Sequence, residues 1–534
     1  MAGNVVAGLS VAGLLVPEAI AYAGIAGLAP QHAVVASVAG LLAYACIGSS
    51  QYAIVTPTSS SAAILAAAVM TLGALGLAAT DAVVLTGALV LLVGIVFALA
   101  AAARLGHLAA FISRPVLRGF AFGLAITIVV KQLPHIAGVE VRGGPAQVLL
   151  QLGQQVSAWN PWSLGLGSAA YLCLRAFKRV PYLPVAFVVM ALGILAAIAL
   201  DLPAHGVPLV GAIDLTNLHL QWPTLGRDVW LRVGELAIPL VVILYAESWG
   251  SIRALALRHG DSVDANRELA ALGLANLVSG AMQGMPVGAG FSGSSANEDA
   301  GASSKAAGLV AAGAIVLLMM VASQWLALLP QPVLAAVVIS ALTHALDPRP
   351  LIALWRLGRD EVLATCAVVA VIALGVLHGM MLAVLLSIIA AVRRFSQSRV
   401  AILGDLDGTR DYVEVARHPG AVEHAGVLVV RPEQPLFFAN AERALAGIRA
   451  LLDARAEVQV LVLSLEESVD LDSTALEVLS EFSAWLARTH RRLVLARVKE
   501  DVRDLLQHTA VEGPPTPCYW SVADAVVAAR QTLV

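Results

Sequence analysis

Residues 56–61, Thr56-Pro57-Thr58-Ser59-Ser60-Ser61, and residues 291–295, Phe291-Ser292-Gly293-Ser294-Ser295, are short serine-rich interruptions of an otherwise apolar chain, and each leads straight into a fresh helical run. A Pro or Gly break followed by small hydroxyl residues is how a helix starts part-way across a bilayer. Its first backbone N–H groups are then unpaired, and its positive dipole end faces inward. Two such breaks point to an anion site that needs no fixed cation.

The rest of the chain fits that solvent. Over 534 residues, 59% are hydrophobic and 13% charged, with a mean hydropathy of +0.83, which excludes a water-soluble globule and predicts a polytopic α-helical membrane protein. Residues 82–103, 163–200 (broken near 175–184), 309–329 and 362–392 are each long enough to span hydrocarbon at about 20 residues per pass. The last stretch needs two passes. Among the first thirty residues Ala21-Tyr22-Ala23 resembles a cleavage site, but there is no basic n-region and Glu18 interrupts the apolar run, so a retained first transmembrane helix is expected.

Charge and motif content narrow the function. A net charge of −3 and a pI near 6.5, with no dense basic stripe, exclude nucleic acid as a partner. No phosphate-binding glycine loop and no nucleophile with a nearby base is present, so no enzyme activity and no cofactor are expected. Cys46, Cys173, Cys366 and Cys518 show no paired spacing, and the first three read as small core residues. His259, His344 and His378 fall near span ends and read as interfacial, without a metal-ligand pattern.

From about Arg399 the texture changes, because apolar runs shorten to strand length and charges rise to globular density. Residues 426–430, 458–465 and 492–498 read as strands and residues 439–454 and 473–489 as amphipathic helices, an α/β sandwich with helices on one face of a sheet. The chain thus divides into a transmembrane domain, 1–398, and a second domain, 399–534. In the latter, Asp472-Ser473-Thr474 reads as a helix N-cap.

Reading the apolar runs as fourteen passes sorts the 20 Lys and Arg residues up to Arg399 sharply. One set of alternate loops holds Arg104, Arg114, Arg118, Arg175, Lys178, Arg179, Arg253, Arg258, Arg267, Lys305, Arg349, Arg356, Arg359, Arg393, Arg394 and Arg399. Only Lys131, Arg142, Arg227 and Arg232 fall on the other side. The positive-inside rule then predicts that both termini and the second domain are cytoplasmic. The first span begins near Val5 and its break comes at Thr56. A corresponding span begins near Gly234 and its break comes at Ser292, which places both breaks on the third helix of a seven-helix inverted repeat, about 1–202 and 230–398.

Two carboxylates stand out inside spans at equivalent repeat positions, Glu18 and Glu247. A carboxylate in hydrocarbon costs on the order of 3 kcal/mol unless it faces a cavity, a partner or a proton. Arg253 lies within reach of the same helix end as Glu247. A proton or Na⁺ at such an acid and an anion beside it would favour each other's binding, which is the thermodynamic content of symport.

At "VPEAIAYAGIAGLAP" (16–30), "TPTSSSAAIL" (56–65), "YAESWGSIRALALRHG" (245–260) and "GAGFSGSSANEDAGASSKAAG" (288–308) the chain resembles the SulP, or sulfate permease, family, and at "LDSTALEVL" (471–479) it resembles a STAS domain. The resemblance implies a fourteen-segment fold of two inverted seven-helix repeats, divided like uracil permease into core and gate domains, with a cytoplasmic STAS domain and a homodimeric assembly. It also implies an anion held by Glu18, Tyr22, Thr58, Ser59, Ser292, Gly293 and Ser294, with Glu247, and Glu18 beside it, carrying the coupling ion. Many members have Gln where Glu18 stands, and prestin carries Arg where Gly293 stands. The loop Pro30-Gln31-His32-Ala33-Val34-Val35-Ala36-Ser37 departs from the family's aromatic pattern. Ser60, Ser61 and Ser295 read as helix-packing residues.

The function expected is H⁺-coupled symport of a small anion (sulfate, bicarbonate or a C4-dicarboxylate) across a bacterial inner membrane by alternating access, with membrane lipid as solvent. Na⁺-coupled bicarbonate symport and a non-transporting anion sensor signalling through the STAS domain are the alternatives. A Ser473 phosphorylation site, as in anti-sigma antagonists, is a weaker reading than the helix cap.

Overall fold

Inside hydrocarbon every peptide group must find its partner within the protein, so the long Ala, Leu and Val runs close into helices, with irregular backbone only where side chains can satisfy it. The computed structural model describes the chain except residues 1, 74–81, 108–112, 142, 178–184, 214–219, 221, 344, 359, 407, 509–515 and 534. Arg142, Lys178, Arg179, His344 and Arg359 of the sequence reading therefore lie outside the described residues. The chain divides into two units, Met1–Ile388 and Ile389–Val534.

The first repeat runs α1 (Ala2–Ala26), α2 (Pro30–Ile47), β1 (Val55–Thr56), α3 (Ser59–Leu72), α4 (Ala82–Ala102), α5 (Arg114–Ala137), α6 (Pro145–Gln154), α7 (Pro161–Phe177) and α8 (Val185–Ala199). The second runs α9 (Arg227–His259), α10 (Ala265–Ala281), β2 (Gly288–Ala289), α11 (Phe291–Asp299), α12 (Ala306–Leu326), α13 (Gln331–Leu342), α14 (Arg349–Leu357), α15 (Glu361–Leu374) and α16 (Val376–Phe395). Setting aside the short amphipathic α6 and α14, each repeat supplies seven segments in the same order. The run 362–392 makes two passes because Gly375, at φ +84°, breaks it between α15 and α16.

Packing separates the segments into two groups. In the core group α4 lies on α10, α1 on α12 and α2 on α10; in the gate group α5 lies on α15 and α13 on α7. Small residues set these contacts, as they do where lipid gives no hydrophobic drive between helices. A Cβ at Gly94 would come 2.7 Å from the Leu277 amide, and one at Gly280 would come 2.8 Å from the Leu91 amide, so α4 and α10 meet backbone to backbone. Gly119 on α5 lies closer still to the Ala364 carbonyl on α15. Gly119→Val is accordingly expected to destabilise the bundle by about 1–3 kcal/mol, read as a lowered midpoint of thermal unfolding in detergent; an unchanged midpoint would contradict this packing. Cys46 is exposed and not a core residue, because an apolar run in a membrane helix does not reveal which of its faces meets lipid.

The second unit is a sheet with strand order β4-β3-β6-β7-β8-β9 and β5 beside β3. Its strands are β3 (Val400–Leu406), β4 (Tyr412–Glu414), β5 (Ala421–Val422), β6 (Val427–Pro432), β7 (Val460–Ser464), β8 (Arg492–Ala496) and β9 (Cys518–Tyr519). Its helices are α17 (Ala441–Asp453), α18 (Ser473–Arg488), α19 (Glu500–His508) and α20 (Val522–Gln531). Strands β6 to β9 run parallel, with Val430 opposite Leu463 and Leu463 opposite Leu495. Helices cover both faces, which corrects the one-face expectation. Leu428, Val430, Leu461 and Leu463 meet Ile448 and Phe482 on one side, while Val427, Val429, Val460 and Val462 meet Val526 and Ala529 of α20 on the other. Strands apolar at successive positions need cover on both sides, and α20 supplies the second layer. Asp472 caps α18, accepting from the Ala475 amide at 2.8 Å and from the Phe438 amide at 2.7 Å.

Candidate anion-binding site

Past Gly48, whose amide closes α2 on the Tyr44 carbonyl, and past Gly284, whose amide still reaches the Ser279 carbonyl of α10, the chain is unwound, and the two approaches converge at β1 and β2. These pair antiparallel, Val55 opposite Ala289 and Thr56 opposite Gly288. Unwound backbone in a membrane domain must be satisfied by side chains, and here it is. Asn276 accepts from the Val287 amide and donates to the Val287 carbonyl, both at 3.0 Å. The Ala289 amide donates to Ser248 Oγ at 2.9 Å, and the Ile54 amide to Ser294 Oγ at 3.1 Å. Ser279 Oγ donates to the Met285 carbonyl at 2.6 Å. Glycine permits the close approaches: Gly40 on α2 lies against the Val55 carbonyl, and a Cβ at Gly288 would come 2.8 Å from Ser248 Oγ.

Each strand then turns into a half-length helix. Thr58 caps α3, its Oγ1 accepting from the Ser61 amide at 3.1 Å while Ser61 Oγ accepts from the Thr58 amide at 2.9 Å. That capping box uses the third amide of the helix and leaves the amides of Ser59 and Ser60 without an intrahelical acceptor. At α11 Gly290 precedes the helix and no side chain caps it, so the amides of Phe291, Ser292 and Gly293 are likewise uncommitted within the helix. Each terminus carries roughly half a positive charge.

The carboxylates pair across the repeats. Glu18 of α1, in the first repeat, accepts from Ser292 Oγ of the second at 2.8 Å. Glu247 of α9, in the second repeat, accepts from Ser60 Oγ of the first by a short hydrogen bond and from Thr58 Oγ1 at 3.4 Å. The Thr58 and Ser60 hydroxyl oxygens lie 2.8 Å apart, so the single Thr58 hydroxyl proton is directed either at Ser60 Oγ or at Glu247. Tyr22, one turn beyond Glu18, is buried. Neither carboxylate has a cationic partner among the described residues, and Arg253 is exposed. No cluster of three or more His, Cys, Asp or Glu able to hold a metal occurs among the described residues.

The residues singled out in the sequence take two kinds of position. Glu18, Tyr22, Thr58 and Glu247 converge on the ends of the half-helices, with Ser59 half-buried and Ser292 exposed at their mouths. Gly293 and Ser294 turn back against Ile54: a Cβ at Gly293 would come 3.1 Å from Ile54 Cγ2, and Ser294 holds the Ile54 amide. Gly293 can thus offer its amide, and Ser294 supports the strand. Ser60, read from sequence as a packing residue, instead contacts Glu247. Its signal was its place two residues past the cap, in the first turn of the half-helix. Phe291, the first residue of α11, is 46% exposed beside the site and had no signal beyond an aromatic next to the break. His259 is tied in as well, stacking on Tyr52 at 4.4 Å and bonding Glu298 at 2.6 Å.

Unpaired amides, orienting hydroxyls and adjacent carboxylates are equipment for holding an anion together with a compensating cation. Two inverted repeats crossing at opposed half-helices define a membrane transporter of the core-and-gate class. The chain belongs to the sulfate permease family: the Sulfate permease family model matches residues 1–368, and a STAS domain model matches residues 418–525. A probable sulfate transporter of Mycobacterium tuberculosis is 33% identical over 95% of this chain and 90% of its own. The chloroplastic sulfate transporter 4.1 of Arabidopsis thaliana is 27% identical over 93% of this chain and 75% of its own. Among solved structures, murine solute carrier 26 family member A9, an anion transporter, superposes with a TM-score of 0.89 at 20% identity, covering 99% of this chain and 92% of that one. The transmembrane domain of a cyanobacterial bicarbonate transporter gives 0.61 at 21% identity over 73% of this chain and 97% of that one.

Proposed function

We propose that this protein is a secondary active symporter of a small oxyanion, sulfate being the first candidate because its relatives are named for it, and that the coupling ion is H⁺. The observation that carries the reading is the crossed pairing, Glu18 with Ser292 and Glu247 with Ser60 and Thr58. An ionised Glu247 accepts the Ser60 hydroxyl proton and so removes a donor from the site. A protonated Glu247 donates to Ser60 Oγ instead, and the hydroxyl proton is free to point at an anion lying on the α3 and α11 amides. Proton and anion therefore load together. Glu247 is only partly buried, and proton access follows from that, whereas Glu18, which contacts Ser292 at the other half-helix, is buried. The core group would carry the loaded site past the gate group in alternating access.

Na⁺-coupled bicarbonate symport has one specific observation in its favour, since the hydrogen-bond partners of Glu247, Thr58 Oγ1 and Ser60 Oγ, are hydroxyl oxygens that suit a hard cation. Both readings place the chain in a bacterial inner membrane with cytoplasmic termini, as a homodimer whose STAS domain regulates or joins the subunits. Radiolabelled sulfate uptake into proteoliposomes separates them. An acid-outside gradient is expected to raise uptake by about five- to 150-fold, with Na⁺ replaced throughout by N-methylglucamine. Uptake that follows Na⁺ and ignores pH would favour the second reading, and competition by bicarbonate or succinate ranks the substrates. Binding without flux would indicate a sensor.

A further inference from the structure

Glu268, in the first turn of α10, is 0% exposed, and the transport chemistry above does not use it. Its Oε1 accepts from the Ser49 amide at 2.8 Å and from Ser49 Oγ at 2.5 Å. Its Oε2 accepts from the Tyr44 hydroxyl at 2.9 Å, and that hydroxyl oxygen in turn accepts from the Ser50 amide at 3.2 Å. Each contact brings an N–H or O–H group to the carboxylate. Two neighbours extend the grip along the same stretch. Arg267 Nε donates to the Ile47 carbonyl at 2.6 Å, and Lys305 Nζ to the Gly48 carbonyl at 2.9 Å. Three successive residues, Ile47, Gly48 and Ser49, are thus held through their backbone by side chains of the second repeat, where α2 ends and the approach to the site begins.

We infer that Glu268 is a positioning residue for the anion site: by fixing Ser49 it sets where β1 and the start of α3 lie. Five residues separate Ser49 from Val55, and they are stiff. Ser50 Oγ accepts from the amides of Tyr52 and Ala53, each at 3.3 Å, and Ile54 is pinned by Ser294. A shift at Ser49 is therefore passed to Thr58, which caps α3.

The inverted repeat supplies an internal comparison. Arg267, third in α10, donates to the carbonyl at the end of α2; His32, third in α2, bonds through Nδ1 to the Gln283 carbonyl just past the end of α10, at 2.6 Å. Both approaches are clamped by the symmetry-related helix. Among the described residues the approach to α3 alone has a buried carboxylate added, and α3 is the half-helix whose Ser60 and Thr58 face the partly exposed Glu247.

The inference rests on the proposed site lying at the α3 and α11 termini, so the test includes a readout independent of substrate. In Glu268→Gln, amide hydrogen exchange of peptides covering residues 50–62 is expected to quicken about tenfold, the equilibrium weight of one charge-assisted hydrogen bond, while peptides covering residues 288–300 stay near the wild-type rate. With sulfate as the probe in proteoliposomes, KM should rise by a similar factor and the maximal rate should stay within about twofold. Tyr44→Phe and Ser49→Ala each remove one donor and keep the test open if Glu268→Gln fails to fold; smaller changes in the same direction are expected. Exchange that is unchanged, or that quickens equally throughout the bundle, would overturn the assignment even where sulfate transport by the wild type stands. Absent sulfate flux with the local exchange effect intact would instead overturn the substrate reading.

Discussion

Glu247→Gln should still bind sulfate, and its uptake should no longer respond to a proton gradient. The glutamine side chain keeps the shape of the acid, and its NH₂ can donate to Ser60 Oγ as a protonated Glu247 would, so the site stays in its loaded hydrogen-bond arrangement at every pH. In the wild type the sign is fixed by the crossed contacts. Lower pH protonates Glu247, releases the Ser60 hydroxyl toward the anion and raises affinity; higher pH reverses it. In the variant, affinity at alkaline pH is expected to exceed that of the wild type by about fivefold or more, and acid-driven stimulation of uptake to vanish, since a coupling free energy of about 1–3 kcal/mol disappears with the titrating group. Sulfate binding and uptake measured from pH 5 to 8 check this. An unchanged pH response in Glu247→Gln would take Glu247 out of the coupling role.

The second large effect concerns a residue that touches no anion. Gly40→Val on α2 should abolish high-affinity sulfate binding, because the added side chain runs into the carbonyl of Val55, in the strand that delivers α3. The backbone on both sides is committed, α2 by its packing on α10 and β1 by its pairing with β2. Relief must come from moving the strand. Overpacking of this kind costs about 1–3 kcal/mol, which corresponds to a loss of about five- to 150-fold in affinity if the displacement is concentrated at the site. Gly24→Ala on α1 is the control, since a Cβ there meets nothing within 4 Å. Isothermal titration with sulfate distinguishes the two: equal affinities in both variants would show that β1 does not place the site.

The sequence carried the features that have a local physical cost. A Pro or Gly break before hydroxyl residues, and a carboxylate in an apolar run, are each unfavourable unless compensated, and Thr58, Ser292, Glu18 and Glu247 could be found on that ground. The fold class followed from the length and placement of apolar runs and from the two matched breaks. Partnerships across the repeats were not legible. Nothing in the order of residues says that Glu18 meets Ser292, or that Ser60 meets Glu247 and does not pack on a neighbouring helix, because those contacts depend on how two seven-helix halves interleave. Ser294 was placed among the binding residues by the family resemblance; its hydroxyl accepts from the Ile54 amide. Glu268 was missed for a related reason: at the start of α10, directly after Asp264, Asn266 and Arg267, it resembles a solvated helix end, and only the tertiary fold buries it under Tyr44 and Ser49. In the second unit the added layer of α20 came from a short C-terminal segment whose apolar stripe is ordinary in isolation.

Whether an anion is cradled by opposed half-helix termini can be seen directly with selenate, which matches sulfate in shape and scatters anomalously. Crystals of the wild-type protein grown with selenate should give one strong selenium peak in each subunit, within about 4 Å of the amides of Ser59 or Ser60 and of Ser292 or Gly293, a distance set by N–H···O hydrogen bonds to the oxyanion. A selenium peak away from both helix ends would contradict the site on which the transport reading depends.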